Sequence, residues 1–151
     1  KNGEKSVKYI ENGAFKGNAT IKRVILPESV DSLEGIVFLD CVNLEYVAMT
    51  GVSEMNWASK YNGENGDNNF LNCTNLKVVV VKSGLTSNCQ QFLAITAPTA
   101  PVLDFFVYGG NVAPNLAGNN NLQSGRTYYY SATRSAGFWH YEANGLAALW
   151  N

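Results

Sequence analysis

The stretch that decides the fold is FLDCVNLEYVAM, residues Phe38–Met49, because the chain contains it three times in related form. The other copies are FKGNATIKRVIL (Phe15–Leu26) and FLNCTNLKVVVV (Phe70–Val81). All three have apolar residues at the first, seventh, tenth and twelfth positions. The copies begin 23 and 32 residues apart, and the longer step equals one further unit plus an insertion of 9 residues. A period of roughly 20–50 residues predicts a solenoid, in which one coil buries its apolar side against the next.

The second half of each copy predicts a strand whose side chains alternate between the core and the outside. Ile21, Val24 and Leu26 of the first copy, and their equivalents in the other two, are expected to point inward. The outward positions are more apolar than a solvent-facing surface should be. They are therefore candidate ligand-binding residues: Arg23, Ile25, Tyr46, Ala48, Val78 and Val80.

The same repeats carry a family resemblance, over GAFKGNATIKRVILPESV (Gly13–Val30), IVFLDCVNLEYVAM (Ile36–Met49) and NNFLNCTNLKVVVV (Asn68–Val81). A Phe, a Cys three residues later, an Asn-Leu pair and a strand closed by Pro resemble the BspA-like leucine-rich repeat unit. The first copy departs from it with Asn18 in place of Cys, and only this copy has the closing proline, Pro27. The resemblance implies a secreted or surface-anchored bacterial protein with an adhesin-like or binding role and no catalysis.

The predicted fold is an α/β-type repeat that is mostly β: a short leucine-rich repeat solenoid with a parallel sheet on its concave face, an irregular convex side and a C-terminal β cap. Right-handed coiling follows from the general rule for parallel crossovers. We assign residues 1–108 to the solenoid, with clear repeats over 10–82 and the insertion at 55–69, and residues 109–151 to the capping segment.

The insertion MNWASKYNGENGDNN (Met55–Asn69) breaks the repeat pattern and is rich in Gly, Asn and acidic residues. Long loops on a rigid scaffold often carry binding residues. Trp57 and Tyr61 are therefore further candidate ligand-binding residues. The alternative is a solvated loop whose Trp57 folds back on the core.

The tail is aromatic and contains an Asn144-Gly145 step between two apolar runs, which predicts a β-hairpin. We expect this hairpin to seal the last coil and to bury most of its aromatic rings. The alternative is an aromatic platform that stacks on sugars or anchors a protein partner. The aromatic residues concerned are Tyr128, Tyr129, Tyr130, Phe138, Trp139, Tyr141 and Trp150.

Cys41 and Cys73 occupy equivalent positions in consecutive repeats. Stacked coils place such residues roughly 5 Å apart in backbone, which suits either a disulfide or a ladder of buried thiols. The ladder is favoured because cysteine is commonly buried as a small hydrophobic residue. Cys89 lies outside the repeat pattern, so the odd count leaves at least one thiol unpaired within the chain.

Composition excludes several classes of function. The 151 residues suit one domain, and a net charge of −1 gives no electrostatic signal for nucleic acid or an anionic membrane. No apolar run is long enough to span a bilayer, and the polar start KNGEKSVK is not a signal peptide. We therefore expect any targeting segment to lie outside this chain. His140 is the single histidine and no metal-ligand or hydrolase motif occurs, so we predict no cofactor, no metal and no enzymatic activity.

The functional hypothesis is a non-enzymatic extracellular module that engages a protein or glycan on a host or neighbouring cell surface through its strand face. One alternative is a structural spacer or cap within a larger cell-surface protein. A third, weaker hypothesis is a glycan-acting enzyme, which requires a pair of carboxylates with perturbed pKa values in a cleft.

Overall fold

The structure of the chain is a computed structural model that describes residues 6–55, 69–87, 102–115 and 126–151. Within these ranges the chain forms short strands and no helix. The strands are β1 (Tyr9–Ile10), β2 (Arg23–Ile25), β3 (Ser32–Leu33), β4 (Tyr46–Met49), β5 (Glu54–Met55), β6 (Val78–Lys82), β7 (Thr86–Ser87), β8 (Asp104–Tyr108), β9 (Arg126–Tyr129), β10 (Trp139–Tyr141) and β11 (Ala147–Leu149).

The first eight strands alternate between two parallel sheets, as expected for stacked coils. The main sheet has the order β2-β4-β6-β8-β9 and a narrow sheet has the order β1-β3-β5-β7. Residues at equivalent repeat positions are direct partners in the main sheet, where Val24 faces Val47 and Val47 faces Val79. The predicted solenoid is therefore confirmed. The opposite side, expected to be irregular, instead carries the two-residue strands of the narrow sheet.

A spine of buried apolar side chains runs between the two sheets. Phe15 and Phe38 stack with ring centroids 5.4 Å apart, and Phe38 and Phe70 stack at 5.2 Å, with ring planes within 3° and 6° of parallel. Leu44 and Leu76 are fully buried in the same cluster. The recurring Phe and Leu positions therefore form one continuous core, as the repeat predicts.

The backbone conformation of the turn after each repeat phenylalanine limits which residues can occupy the second position after it. Gly17, Asp40 and Asn72 are equivalent and have φ angles of 72°, 61° and 60°. Glycine, Asp and Asn are the residue types that best tolerate this left-handed region. Asn72 Nδ2 also donates a 2.7 Å hydrogen bond to Asp40 Oδ1, so the turns of adjacent coils are bonded to each other.

The asparagine of each Asn-Leu pair ties its coil to the preceding one. Asn43 Nδ2 donates to Ala19 O at 2.6 Å, and Asn75 Nδ2 donates to Val42 O at 2.8 Å. Because these bonds satisfy carbonyls that the short strands leave unpaired, the asparagine has a structural role in the stack.

The repeat cysteines form a ladder of free thiols, and the disulfide alternative is wrong. Cys41 and Cys73 are both free and fully buried. Cys41 Sγ donates to Phe15 O at 3.0 Å, and Cys73 Sγ donates to Phe38 O at 3.1 Å. Asn18, at the equivalent position of the first copy, instead accepts from the backbone N–H groups of Thr20 and Ile21.

We predict that the two repeat thiols do not react with a disulfide reagent at pH 8 while the chain is folded. Burial raises the pKa of Cys73 from an ordinary value of 9.0 to about 12, and burial also raises the pKa of Cys41. The thiolate is the reactive form. In a Cys89→Ser background, both thiols should be labelled only after unfolding in guanidinium. Stoichiometric labelling of the folded variant within minutes would contradict the ladder.

The predicted capping segment 109–151 contributes to two different parts of the fold. Its first described strand, β9, extends the main sheet by pairing parallel to β8. Arg126 forms a two-pronged ion pair with Asp104 across this pairing, with N–O distances of 2.9 and 3.1 Å. Residues 139–149 contain the antiparallel hairpin β10–β11. Most of the predicted insertion, including Trp57 and Tyr61, lies outside the described residues.

Candidate functional site

The outward side of the main sheet, here called the strand face, carries the predicted binding residues. Val47 and Val79 point into the core, whereas Tyr46, Ala48 and Val80 belong to a second apolar cluster on the opposite side of the sheet. The alternation of side chains therefore follows the sequence prediction.

The predicted exposure of this face is wrong for three of its residues. Tyr46 and Ala48 are 7% and 4% exposed, and Val80 is fully buried. Val78 is half-buried in the same cluster. The physical reason is that the C-terminal hairpin lies over these side chains. A row of apolar residues on the outside of a sheet has two equally good explanations: another element of the same chain covers it, or a ligand binds there.

Trp139 anchors the hairpin to the strand face. Its ring is fully buried and stacks on Phe106 with centroids 5.6 Å apart and planes 19° from parallel. Its Nε1 donates to Val107 O at 2.9 Å. At the other strand of the hairpin, the Ala147 N–H donates to Tyr46 Oη at 3.2 Å. The hairpin therefore covers the middle of the main sheet, although the sequence suggested that it seals the last coil.

Tyrosine rings close the sides of this contact. Tyr108, Tyr130 and Tyr141 surround Trp139, at centroid distances of 5.9, 5.1 and 4.9 Å. Burial, with the neighbouring phenols, raises the pKa of Tyr141 to about 12, and burial also raises the pKa of Tyr46. Of the seven aromatic residues of the tail, only Trp139 is fully buried; Tyr128, Tyr129, Tyr130 and Trp150 are half-buried, and Phe138 and Tyr141 are exposed. The prediction that most of these rings are buried therefore holds in full for Trp139 alone.

Of the predicted site residues that the structure describes, two remain exposed, and both lie on β2. Ile25 is 57% exposed, and Arg23 is also exposed. β2 is the edge of the main sheet, and none of the described residues pairs with its outer side. Four apolar side chains of the first coil are only partly buried against the core: Ile10, Phe15, Ile21 and Val24.

The solvent side of the hairpin carries an open groove of about 550 Å³. His140 and Trp150 stack beside it with ring centroids 3.5 Å apart and planes 15° from parallel. Arg134 and Glu142 add a cation and an anion to the lining. Sequence reasoning did not single out this groove. The available signal was the alternation around the Asn144-Gly145 turn, because Trp139 faces inward and His140 must then face outward.

The described residues contain no group of three or more Cys, His, Asp or Glu side chains placed to hold a metal ion. Within the same ranges, no helix has the length and apolar character of a bilayer span.

Comparison with protein families agrees with the stacked coils. The family model described as BspA type Leucine rich repeat region (6 copies) matches residues 2–98, well over half of the chain. The chain belongs to this family. Comparison with the curated proteins, and separately with the solved structures, gives no significant match.

The BspA-type repeats of this chain leave their strands in different ways. In the first copy Pro27 follows the strand, and Val30 N–H donates to Pro27 O at 3.0 Å. In the second copy the chain turns at Gly51 and has no proline there. A Cβ atom at Gly51 would lie 2.2 Å from Glu28 O, so only glycine allows the two backbones to approach. The third copy turns at Gly84, which has a φ angle of 74°.

Proposed function

We propose that this chain is a non-enzymatic extracellular binding module of a bacterium, and that it engages a protein ligand through the uncovered edge of its strand face. The observation that carries the proposal is Ile25, which is 57% exposed beside Arg23 on β2, a strand whose outer side pairs with none of the described residues. The leucine-rich repeat family supports a repeat scaffold used for binding. Its usual setting supports a secreted or cell-surface location.

The first coil offers both backbone and side-chain contacts to a protein. An unpaired parallel edge presents N–H and C=O groups to which an extended segment adds as another strand. The partly buried Ile10, Phe15, Ile21 and Val24 would become fully buried under such a segment. Burial of apolar surface contributes roughly 25 cal/mol per Å², so completion of this core supplies much of the affinity.

Charges beside the edge favour a selected partner over self-association. Lys22 and Arg23 are both exposed at the start of β2. Cationic side chains on edge strands oppose pairing between identical copies. A ligand strand with acidic residues at this position would bind with complementary charge.

The proposal keeps part of the predicted binding surface and removes the rest. Arg23 and Ile25 remain, and the loop residues Trp57 and Tyr61 stay candidates for the same ligand. The proposed site omits Tyr46, Ala48 and Val80, which are buried under the hairpin, and Val78, which is half-buried in the same cluster.

An array of extracellular proteins probed with the folded chain tests the proposal. We expect Ile25→Glu to weaken each specific interaction at least about tenfold, because the change places a charge in the apolar contact. Val112→Glu is the matched control, since Val112 is 62% exposed and bonds to Ser83, which follows β6, two strands away from β2. Equal binding by both variants would contradict the edge site. No binding to any protein on the array would favour the structural spacer.

A further inference from the structure

From the groove on the solvent side of the hairpin, we propose a second binding site, for a neutral oligosaccharide. The groove lies on β10, β11 and the turns beside them, and its volume of about 550 Å³ falls within the usual range for small-ligand sites. It does not include the β2 edge, so the proposal is independent of the protein ligand above.

The aromatic wall of the groove is held in place before any ligand binds. The backbone N–H of Trp150 donates to Phe138 O at 2.9 Å, and its indole Nε1–H donates to Ser131 O at 2.9 Å. His140 stacks on the same indole. A fixed aromatic pair suits a sugar, because the C–H groups of a pyranose carry slight positive charge and pack on the negative face of an aromatic ring. Preorganisation also reduces the entropy lost on binding.

Polar groups of both kinds line the groove. Arg134 uses its Nε–H on Asn151 O at 3.0 Å, which leaves the donors of its two terminal nitrogens. Glu142 uses Oε2 as an acceptor for Asn144 Nδ2 at 3.3 Å, and its other oxygen is a further acceptor. A sugar hydroxyl both donates and accepts a hydrogen bond, so it pairs with either group.

The histidine ring adds a defined acceptor. His140 Nδ1 lies 3.1 Å from Tyr141 O, and a carbonyl oxygen only accepts, so Nδ1 carries the proton in this contact. In the neutral form of the ring, this tautomer makes Nε2 an acceptor.

The charges of the lining select against strongly ionic ligands. Arg134 and Glu142 oppose one another, so the groove has no excess of cations for a phosphate or a sulfated glycan. Aromatic packing together with balanced donors and acceptors therefore indicates an uncharged sugar.

The test is saturation-transfer NMR of the folded chain with maltotriose, cellotriose, chitotriose and lactose, and with sialyllactose as the acidic comparison. We expect at least one neutral sugar to receive saturation. Arg134→Gln and Glu142→Gln should each weaken that binding about tenfold, the usual effect of losing a hydrogen bond to a charged group. Both side chains are at the surface, so the variants should fold like the parent.

Lys8→Gln and Glu11→Gln are matched controls, because both alter exposed charges of the first coil. They should leave the sugar affinity unchanged. The proposal is overturned if none of the neutral sugars binds, if only sialyllactose binds, or if the Arg134 and Glu142 variants bind as well as the parent. Loss of protein binding in Ile25→Glu with unchanged sugar binding would separate the two sites.

Discussion

Replacing Trp139 by alanine is expected to lower the free energy of unfolding by about 3–5 kcal/mol, the usual range for removing a fully buried large aromatic side chain. The change removes the stack on Phe106, the edge contacts with three tyrosines and the hydrogen bond to Val107 O. It also leaves that carbonyl without this donor beneath the hairpin. Urea unfolding followed by circular dichroism measures the loss.

Phe138→Ala is the control for the Trp139 variant. Phe138 is the preceding residue but is 39% exposed, so its loss should cost about 1 kcal/mol or less. If Trp139→Ala unfolds at the same urea concentration as Phe138→Ala, the hairpin does not stabilise the strand face. In the Trp139 variant we also expect a protease to cut the hairpin before it cuts the repeats.

Replacing Phe38 by alanine is expected to lower the free energy of unfolding by a similar amount, but for a different reason. Phe38 is fully buried and stacks on both Phe15 and Phe70, so its removal opens a cavity in the middle of the spine. Removal of buried phenylalanine costs about 3–5 kcal/mol. Since each coil of a solenoid is stabilised by its neighbours, the damage affects two interfaces at once.

Phe15→Ala is the comparison within the same spine. Phe15 is only partly buried and belongs to the first described coil. We expect Phe15→Ala to lower the free energy of unfolding by about half as much as Phe38→Ala, because part of the Phe15 ring is already in contact with solvent. Equal losses in the two variants would show that the phenylalanines do not act as a stack.

The repeat was readable from the sequence because stacking forces the same residue types to recur. A phenylalanine that stacks on a phenylalanine must recur at the same place in each coil, and a left-handed turn needs Gly, Asp or Asn at one place. Gly17, Asp40 and Asn72 satisfy this requirement. The direction in which the side chains of β4 and β6 point followed from the same alternation.

The packing of the hairpin on the strand face could not be predicted from the sequence in this way. Tyr46 and Val80 are apolar because Trp139 and its hairpin pack on them, but an apolar outward position looks the same whether a ligand or another part of the chain covers it. That contact joins residues about 100 positions apart, such as Tyr46 and Ala147, and no periodicity records it. The groove beside Trp150 was missed for a different reason: its lining residues are close in sequence, but they form a groove only once the hairpin has folded.

The most direct test of the account is a nuclear Overhauser spectrum of the folded chain with the Trp139 indole assigned. We predict cross-peaks from this indole to the ring of Phe106, and from the ring of Tyr46 to Ala147. Cross-peaks from Trp139 that stay within residues 138–150 would show that the hairpin lies away from the main sheet, and would contradict the covered strand face.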